Sequence, residues 1–229
     1  MRHALSFAPA RYQESFEGLT ALQAPNLQIV AKFVARALTG KDTPALKELR
    51  LKALREERNY FRPAYETEVD FRDDQWRTLC TPKEDHCYFG LFDNGRLIGM
   101  MLATKWEGDD TGQTALWGSA YIHPEYRSNN PLSPYYGRKL GRLMYEVREK
   151  WTREHPRFKR SVFYIRERNQ RCREIHENKG AEHVYTEPLR PHHKNNPAGP
   201  WYWYERRFGQ VAAHQKPLSN YIVRTLGCV

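Results

Sequence analysis

Between Tyr136 and Met144 the chain reads Tyr136-Gly137-Arg138-Lys139-Leu140-Gly141-Arg142-Leu143-Met144, with two glycines and three cations at the head of an apolar, helically spaced segment. A helix start presents N–H groups without partners and the positive end of the peptide dipole. Glycines there let an anion approach the backbone, and Arg138, Lys139 and Arg142 add charge-assisted contacts, with Arg127 extending the patch upstream. An ordinary solvated basic face is the alternative, and the position at a helix start favours the anion site.

A second group could move protons. His176, with an ordinary imidazole pKa of about 6.5, could give up a proton near neutrality, or could be a hydrogen-bonded structural histidine. Glu66 and Glu68 open a helical segment, as bases or as solvated acids favoured by the dipole. Tyr121 and His123 close an apolar segment and join the candidate acceptors, together with a chain of water. Asn169 opens another helix and can cap it. Cys80, His86 and Cys87, with His192 and His193, lack the paired spacing of a zinc site, and no metal is expected.

The elements that must hold these residues are legible in the hydrophobic pattern. Gln28 to Leu38 reads as a strand. Thr43 is expected as N-cap of a helix from Pro44 to about Arg58, and Tyr60-Phe61-Arg62-Pro63 breaks it before a second helix from Glu66 to Leu79. Tyr88 to Phe92 and Arg96 to Thr104 flank Asp93-Asn94-Gly95, a strong hairpin signal. Thr114 to His123 is a third consecutive strand, stopped by Pro124. A helix from about Gly137 to Arg153 carries Leu140, Leu143, Met144, Val147 and Trp151 on one face. Ser161 to Ile165 is a strand leading through Asn169 into a helix that ends at Lys179-Gly180, and Val184-Tyr185 and Trp201 to Phe208 supply the last strands. Alternation along the Trp201-Tyr202-Trp203-Tyr204 run favours core packing over a base-stacking surface.

Composition bounds the partners. The chain has 229 residues, 40% hydrophobic and 13% aromatic, enough for one folded α/β domain, read here as 28–208 with an extension 1–27 and a tail 209–229. Lys and Arg number 37 against 27 Asp and Glu, a net charge of +10 that suits anionic partners. Nucleic acid is one such partner, though no periodic basic stripe supports it. Four cysteines are too few for a disulfide scaffold, and no apolar stretch reads as a signal or membrane span. A cytoplasmic protein without a membrane partner is expected, and a homodimer is compatible with the sequence.

The order strand, two helices, three strands, helix, strand, helix, two strands resembles the GNAT (GCN5-related N-acetyltransferase) superfamily. Leu97-Ile98-Gly99 and Tyr121-Ile122-His123-Pro124-Glu125-Tyr126-Arg127 are similar to the family's strands before its cofactor loop, and Asn169, Cys172, His176, Gly180 and Ala181 keep the spacing of its last helix. The resemblance implies a mixed sheet of six to seven strands flanked by about four helices, with acetyl-CoA as acyl donor. It implies that backbone groups near Ile122 and His123 pair with the pantetheine arm, and that Arg127, Gly137, Arg138, Lys139, Leu140, Gly141 and Arg142 cradle the pyrophosphate. Asn169 would contact the cofactor, and His176 would stand where the family often has a tyrosine that protonates the departing thiolate. Two departures are visible: Lys139 replaces the loop's first glycine, and Ser128 to Tyr135 looks inserted before it. The implied activity is N-acetyl transfer to a primary amine of a small molecule or peptide by direct attack in a ternary complex. The alternatives are a nucleic-acid-directed acyltransferase or nucleic-acid-binding protein, and a non-catalytic acyl-CoA sensor.

Overall fold

Asn94 and Gly95 both adopt left-handed backbone, with φ of 47° and 82°, and close a tight hairpin between β2 (His86–Asp93) and β3 (Arg96–Lys105). That hairpin is the centre of a computed structural model that describes residues 33–189 and 199–208. The extension 1–27, the first part of the expected strand from Gln28, the tail 209–229, and His192 and His193 lie outside the described residues.

Seven strands form one sheet in the order β1-β2-β3-β4-β5-β7-β6. Besides β2 and β3 these are β1 (Phe33–Ala37), β4 (Thr114–Ile122), β5 (Arg160–Arg166), β6 (Glu182–Glu187) and β7 (Trp201–Arg207). All neighbours are antiparallel except β4 and β5, which run parallel. The helices are α1 (Thr43–Glu56), α2 (Tyr65–Glu68), α3 (Asp73–Cys80), α4 (Leu140–Glu154) and α5 (Gln170–Glu177). Six to seven strands were expected and seven are present among the described residues, with five α-helices there where about four were expected.

The sequence misplaces several boundaries. One helix was expected from Glu66 to Leu79, but α2 stops at Glu68 and α3 starts at Asp73, because an acidic pair at Asp73-Asp74 and a Gln75 side chain that accepts from the Arg72 N–H begin a new helix. Thr43 was expected as an N-cap but is the first residue of α1; a one-turn 3₁₀ segment at Gly40–Asp42 precedes it and Asp42 takes the cap position. The helix expected from Gly137 begins at Leu140.

The two faces of the sheet are packed by different helices. On one, Leu46, Leu49 and Ala53 of α1 bury against Tyr88, Phe92, Leu97, Met100 and Tyr121. On the other, Leu140 and Met144 of α4 meet Leu91, Ile98 and Met101, and further along Tyr145, Val147 and Trp151 meet Phe89, Trp117 and Phe163. Covered on both faces, β2 is buried at every residue after His86, which explains its unbroken apolar run. The aromatic run of β7 goes to packing: Trp203 meets Trp106 at 6.0 Å on the α1 side, and Tyr204 stacks on Phe163 at 5.7 Å on the other. Cys80 gives its thiol proton to the Thr39 carbonyl, His86 bonds Thr104 and the Leu79 carbonyl, and Cys87 is buried, so these three are spent on structure.

Candidate active site

The parallel pair β4 and β5 stays in register only from Thr114/Arg160 to Leu116/Val162. Beyond that point β4 follows β3 to Ile122 and β5 follows β7 to Arg166, so the sheet opens between Trp117–Ile122 and Phe163–Arg166. A bulge drives the opening: Tyr121 pairs Met100 and Gly118 pairs Leu102, leaving Ser119 and Ala120 opposite the single residue Met101. Ser119 has φ of 54°, a left-handed conformation that a non-glycine residue holds only when its surroundings impose it. They do so here. The Ser119 hydroxyl meets Arg50 Nη1 and the Tyr88 hydroxyl at 3.1 Å each, and Arg50 is fixed by two bonds to Glu68 at 2.9 and 2.7 Å. A side chain built at Gly118 would meet nothing within 4 Å, so the mouth of the opening is free.

The open edge of β4 adjoins the start of α4. The His123 N–H donates to the Ile98 carbonyl at 2.8 Å and the His123 carbonyl accepts from Tyr126 at 2.9 Å, so both His123 backbone groups are committed within the protein. Strand alternation turns the Ile122 backbone groups to the opposite edge, toward the opening. The Ile122 carbonyl there accepts from Arg127 Nε at 2.9 Å, leaving its N–H for an extended ligand. A Cβ at Gly141 would lie 3.3 Å from Ile122, so this edge and the helix start form one surface.

At that helix start no side chain caps the helix, and the first turn carries no acid. The Leu140 and Gly141 N–H groups find no partner among the described residues. Lys139, which replaces an expected glycine, has φ of −88°, open to any residue. The left-handed position is Gly137, at 76°, and glycine is needed there instead. The inserted Ser128–Tyr135 segment folds away from the helix start: Tyr135 stacks on Tyr126 at 4.8 Å and meets Phe33 at 5.4 Å, leaving Gly137 and Lys139 exposed. Of the four expected cations, Arg127 is taken by Glu57 at 2.7 Å and Arg142 by Glu146 at 2.6 Å. Arg138 and Lys139 have no carboxylate partner among the described residues. Asn169 is the N-cap residue of α5, its side-chain amide without a hydrogen bond among the described residues, and Arg171 ties that helix to Ser128 at 3.0 Å.

His176 lies at the root of the opening, buried against Phe163, Tyr145 and Trp117 with ring centroids at 4.2, 5.3 and 6.5 Å. Burial first, then the cations Arg148, Arg206 and Lys179, hold its pKa well below the usual 6.5. The expected imidazolium donor is therefore absent at neutral pH, and the ring stays neutral. This has a consequence for stability. An unfolded histidine takes up a proton below about pH 6.5 and the native one does not, so the unfolded state binds more protons and stability falls as the pH drops. Between pH 7.5 and 5.5 the loss from this group is about 1.4 kcal/mol. Between these pH values, urea unfolding is expected to show a loss of stability smaller by about that increment in His176→Phe than in the wild type.

The acid candidates part ways. Glu68 is buried and bidentate on Arg50, so it is a strut of the β4 bulge and unavailable as a base. Glu66 is exposed on the outside of α2. The Tyr121 hydroxyl donates to Glu56 at 3.3 Å, and burial followed by Glu56 holds its proton tightly. Glu56, missed in the sequence, is half-open at the end of α1, and Lys52 at 2.5 Å keeps it ionised. His123 is pushed below the usual range, by burial above all, and is a neutral base at pH 7. Sequence reasoning also missed Arg50, Arg148 and Tyr164. Arg50 and Arg148 each occupy the buried stripe of an amphipathic helix, a signal that was present.

Residues 50–130 match the model of the acetyltransferase (GNAT) family. Solved structures share the fold at low identity. A GNAT-family acetyltransferase from Streptococcus pneumoniae superposes with a TM-score of 0.62 at 14% identity, over 77% of this chain and 99% of that one. A GCN5-related N-acetyltransferase from Kribbella flavida gives 0.60 at 17%, over 78% and 99%. A putative acetyltransferase, yncA, from Salmonella typhimurium with its cofactor acetyl-CoA gives 0.57 at 17%, over 80% and 98%. A search of curated proteins gave no match.

Proposed function

We propose that this chain, whose residues 50–130 match the GNAT acetyltransferase family model and whose fold is shared with solved GNAT-family structures, transfers an acetyl group from acetyl-CoA to a primary amine of a small molecule or peptide, by direct attack within a ternary complex. The observation that carries this reading is the opening between β4 and β5 with an uncapped helix start beside it. The fit to coenzyme A rests on the unpartnered Leu140 and Gly141 N–H groups with Arg138 and Lys139 for the pyrophosphate, and on the Ile122 N–H for the arm. Acetyl-CoA supplies a thioester carbonyl carbon. The chain's residues do the rest.

The free space at Gly118 admits the acceptor from the α1 side, where Tyr88, Tyr164 and Ser119 form the floor. An amine of pKa about 10 is mostly protonated at neutral pH and must lose a proton before attack. Glu56, ionised and reached through Tyr121 or a water, takes that proton in this reading, with neutral His123 beside it. Positioning by the cleft and proton removal together supply the rate.

The reading is tested by isothermal titration with acetyl-CoA and CoA, followed by mass spectrometry of a cell extract incubated with the protein and isotopically labelled acetyl-CoA. Micromolar binding and a labelled amide are expected. No binding at high micromolar concentration would remove the proposal. Glu56→Gln is expected to lower kcat about 100-fold with cofactor affinity unchanged, read by steady-state kinetics on the amine so identified.

A further inference from the structure

Arg148 sits in the middle of α4 with 2% of its surface exposed, its guanidinium over the Trp117 ring at 4.3 Å. Its Nε is buried without a hydrogen-bond partner, and no carboxylate pairs it among the described residues. A buried cation in that condition is costly, because desolvation is offset only by the Trp117 and Tyr145 rings and by no hydrogen bond or carboxylate among the described residues. The neighbouring cations are accounted for: Arg206 is held by Glu149 at 2.6 Å and by the Tyr145 hydroxyl, and Lys179 lies over the Tyr145 ring at 4.2 Å. From α5, Cys172 and His176 face the same space, and His176 Nδ1 is likewise buried and unpartnered. Two unsatisfied buried groups in one place point to a ligand atom that belongs between them.

The depth of the place says which atom. Leu140, at the proposed phosphate cradle, and Arg148 are separated by about 12 Å along the helix axis, a span of the order of a pantetheine arm. Trp117 and Phe163, the first residues of β4 and β5 after the strands part, line the same depth. The reacting sulfur of the donor would reach this level. We propose that Arg148 is the counter-ion of the departing CoA thiolate, a catalytic residue that stabilises the charge left on sulfur in place of a side chain that protonates it.

In the step so described the acceptor nitrogen bonds to the carbonyl carbon as the C–S bond breaks. The bonding pair remains on sulfur, and the nitrogen's surplus proton passes to the base on the α1 side, which has by then released the ammonium's first proton to solvent. Sulfur departs as a thiolate and takes a proton from solvent on release. A fixed cation in a water-poor site acts when the charge develops and needs no proton of its own. His176, neutral among three cations, cannot supply that proton. Cys172 reports the same field: burial raises its thiol to about 11 while Arg148 opposes the rise. The inference rests on the acetyl-transfer reading and is separable from it by experiment.

The test is the ionisation of the CoA thiol on the protein, measured by its rate of alkylation against pH for wild type, Arg148→Lys and Arg148→Met, with melting temperatures and titration calorimetry of CoA on each. The midpoint for bound CoA is expected about one unit lower in wild type and Arg148→Lys than in Arg148→Met. In turnover, Arg148→Met is expected to lose about 30-fold in kcat with the KM for acetyl-CoA within twofold, and Arg148→Lys to keep most of the rate. An unchanged thiol midpoint in a folded, CoA-binding Arg148→Met overturns the proposal, as does an effect on KM alone. A loss seen with succinyl-CoA but not with acetyl-CoA overturns it in favour of recognition of an acyl carboxylate. Failure of the wild type to bind CoA removes the acetyl-transfer reading itself, a result distinct from the others.

Discussion

Glu68→Ala is expected to destabilise the protein by about 3–5 kcal/mol, the cost of stranding a buried charge. Glu68 and Arg50 have 8% and 4% of their side chains exposed, and the pair is bidentate. Removing the carboxylate leaves the guanidinium in a dry site with one remaining hydrogen-bond partner among the described residues, the Ser119 hydroxyl. The damage does not stop at stability. Ser119 is held in its left-handed conformation by that guanidinium and by Tyr88, so loosening Arg50 releases the bulge that parts β4 from β5. Chemical denaturation should show the stability loss, and acetyl transfer should fall at temperatures where the variant is still folded. A double change, Arg50→Met with Glu68→Leu, is expected to recover most of the stability, because no charge is left buried, and not the activity, because Ser119 keeps only the Tyr88 hydroxyl of its two supports. Recovery of both would show that the ion pair has no part in shaping the site.

Gly141→Asp is expected to move stability and cofactor affinity in opposite directions. The second position of a helix favours an acid by about 0.3–1 kcal/mol, and α4 has none in its first turn, so thermal stability should hold or rise slightly. The new Cβ meets only Ile122 Cδ1, at 3.3 Å, a side-chain end that can give way. The same carboxylate would stand in the proposed pyrophosphate cradle. A like charge at about 4 Å near a protein surface costs about 4 kcal/mol, or about a thousandfold in affinity. Titration calorimetry with CoA beside a melting curve reads both effects. Tight CoA binding by the variant would place the phosphates elsewhere. Few substitutions separate the two roles of a helix start so cleanly, since most changes that harm a binding site also harm the fold around it.

Several features of this site were open to a reader of the sequence. The Gly137–Arg142 run sits where a helix begins because the apolar spacing after it is helical, and both are local facts. Gly137, the required left-handed glycine, could be named as important but not distinguished from Gly141 in role, since φ is set by how the Ser128–Tyr135 segment returns to the helix. His176 was legible as a histidine at a telling position. Its protonation state was not, because that depends first on burial and then on Arg148, Arg206 and Lys179, which come from α4, β7 and the turn after α5. Glu68 looked like a solvated acid at a helix start until Arg50, from another helix, was seen to claim it.

By itself the sequence determined the number and order of the strands and main helices, the tight hairpin at Asn94-Gly95 and the cationic helix start, because each follows from spacing and turn chemistry within a few residues. Only the tertiary structure decided where the sheet opens, which carboxylates are already spent, and that Arg148 is buried without a counter-ion among the described residues. Those depend on contacts between residues far apart in the chain, such as Arg50 with Ser119 and Ile122 with Gly141. Desolvation and charge pairing act through space, and no local pattern records which charge will meet which.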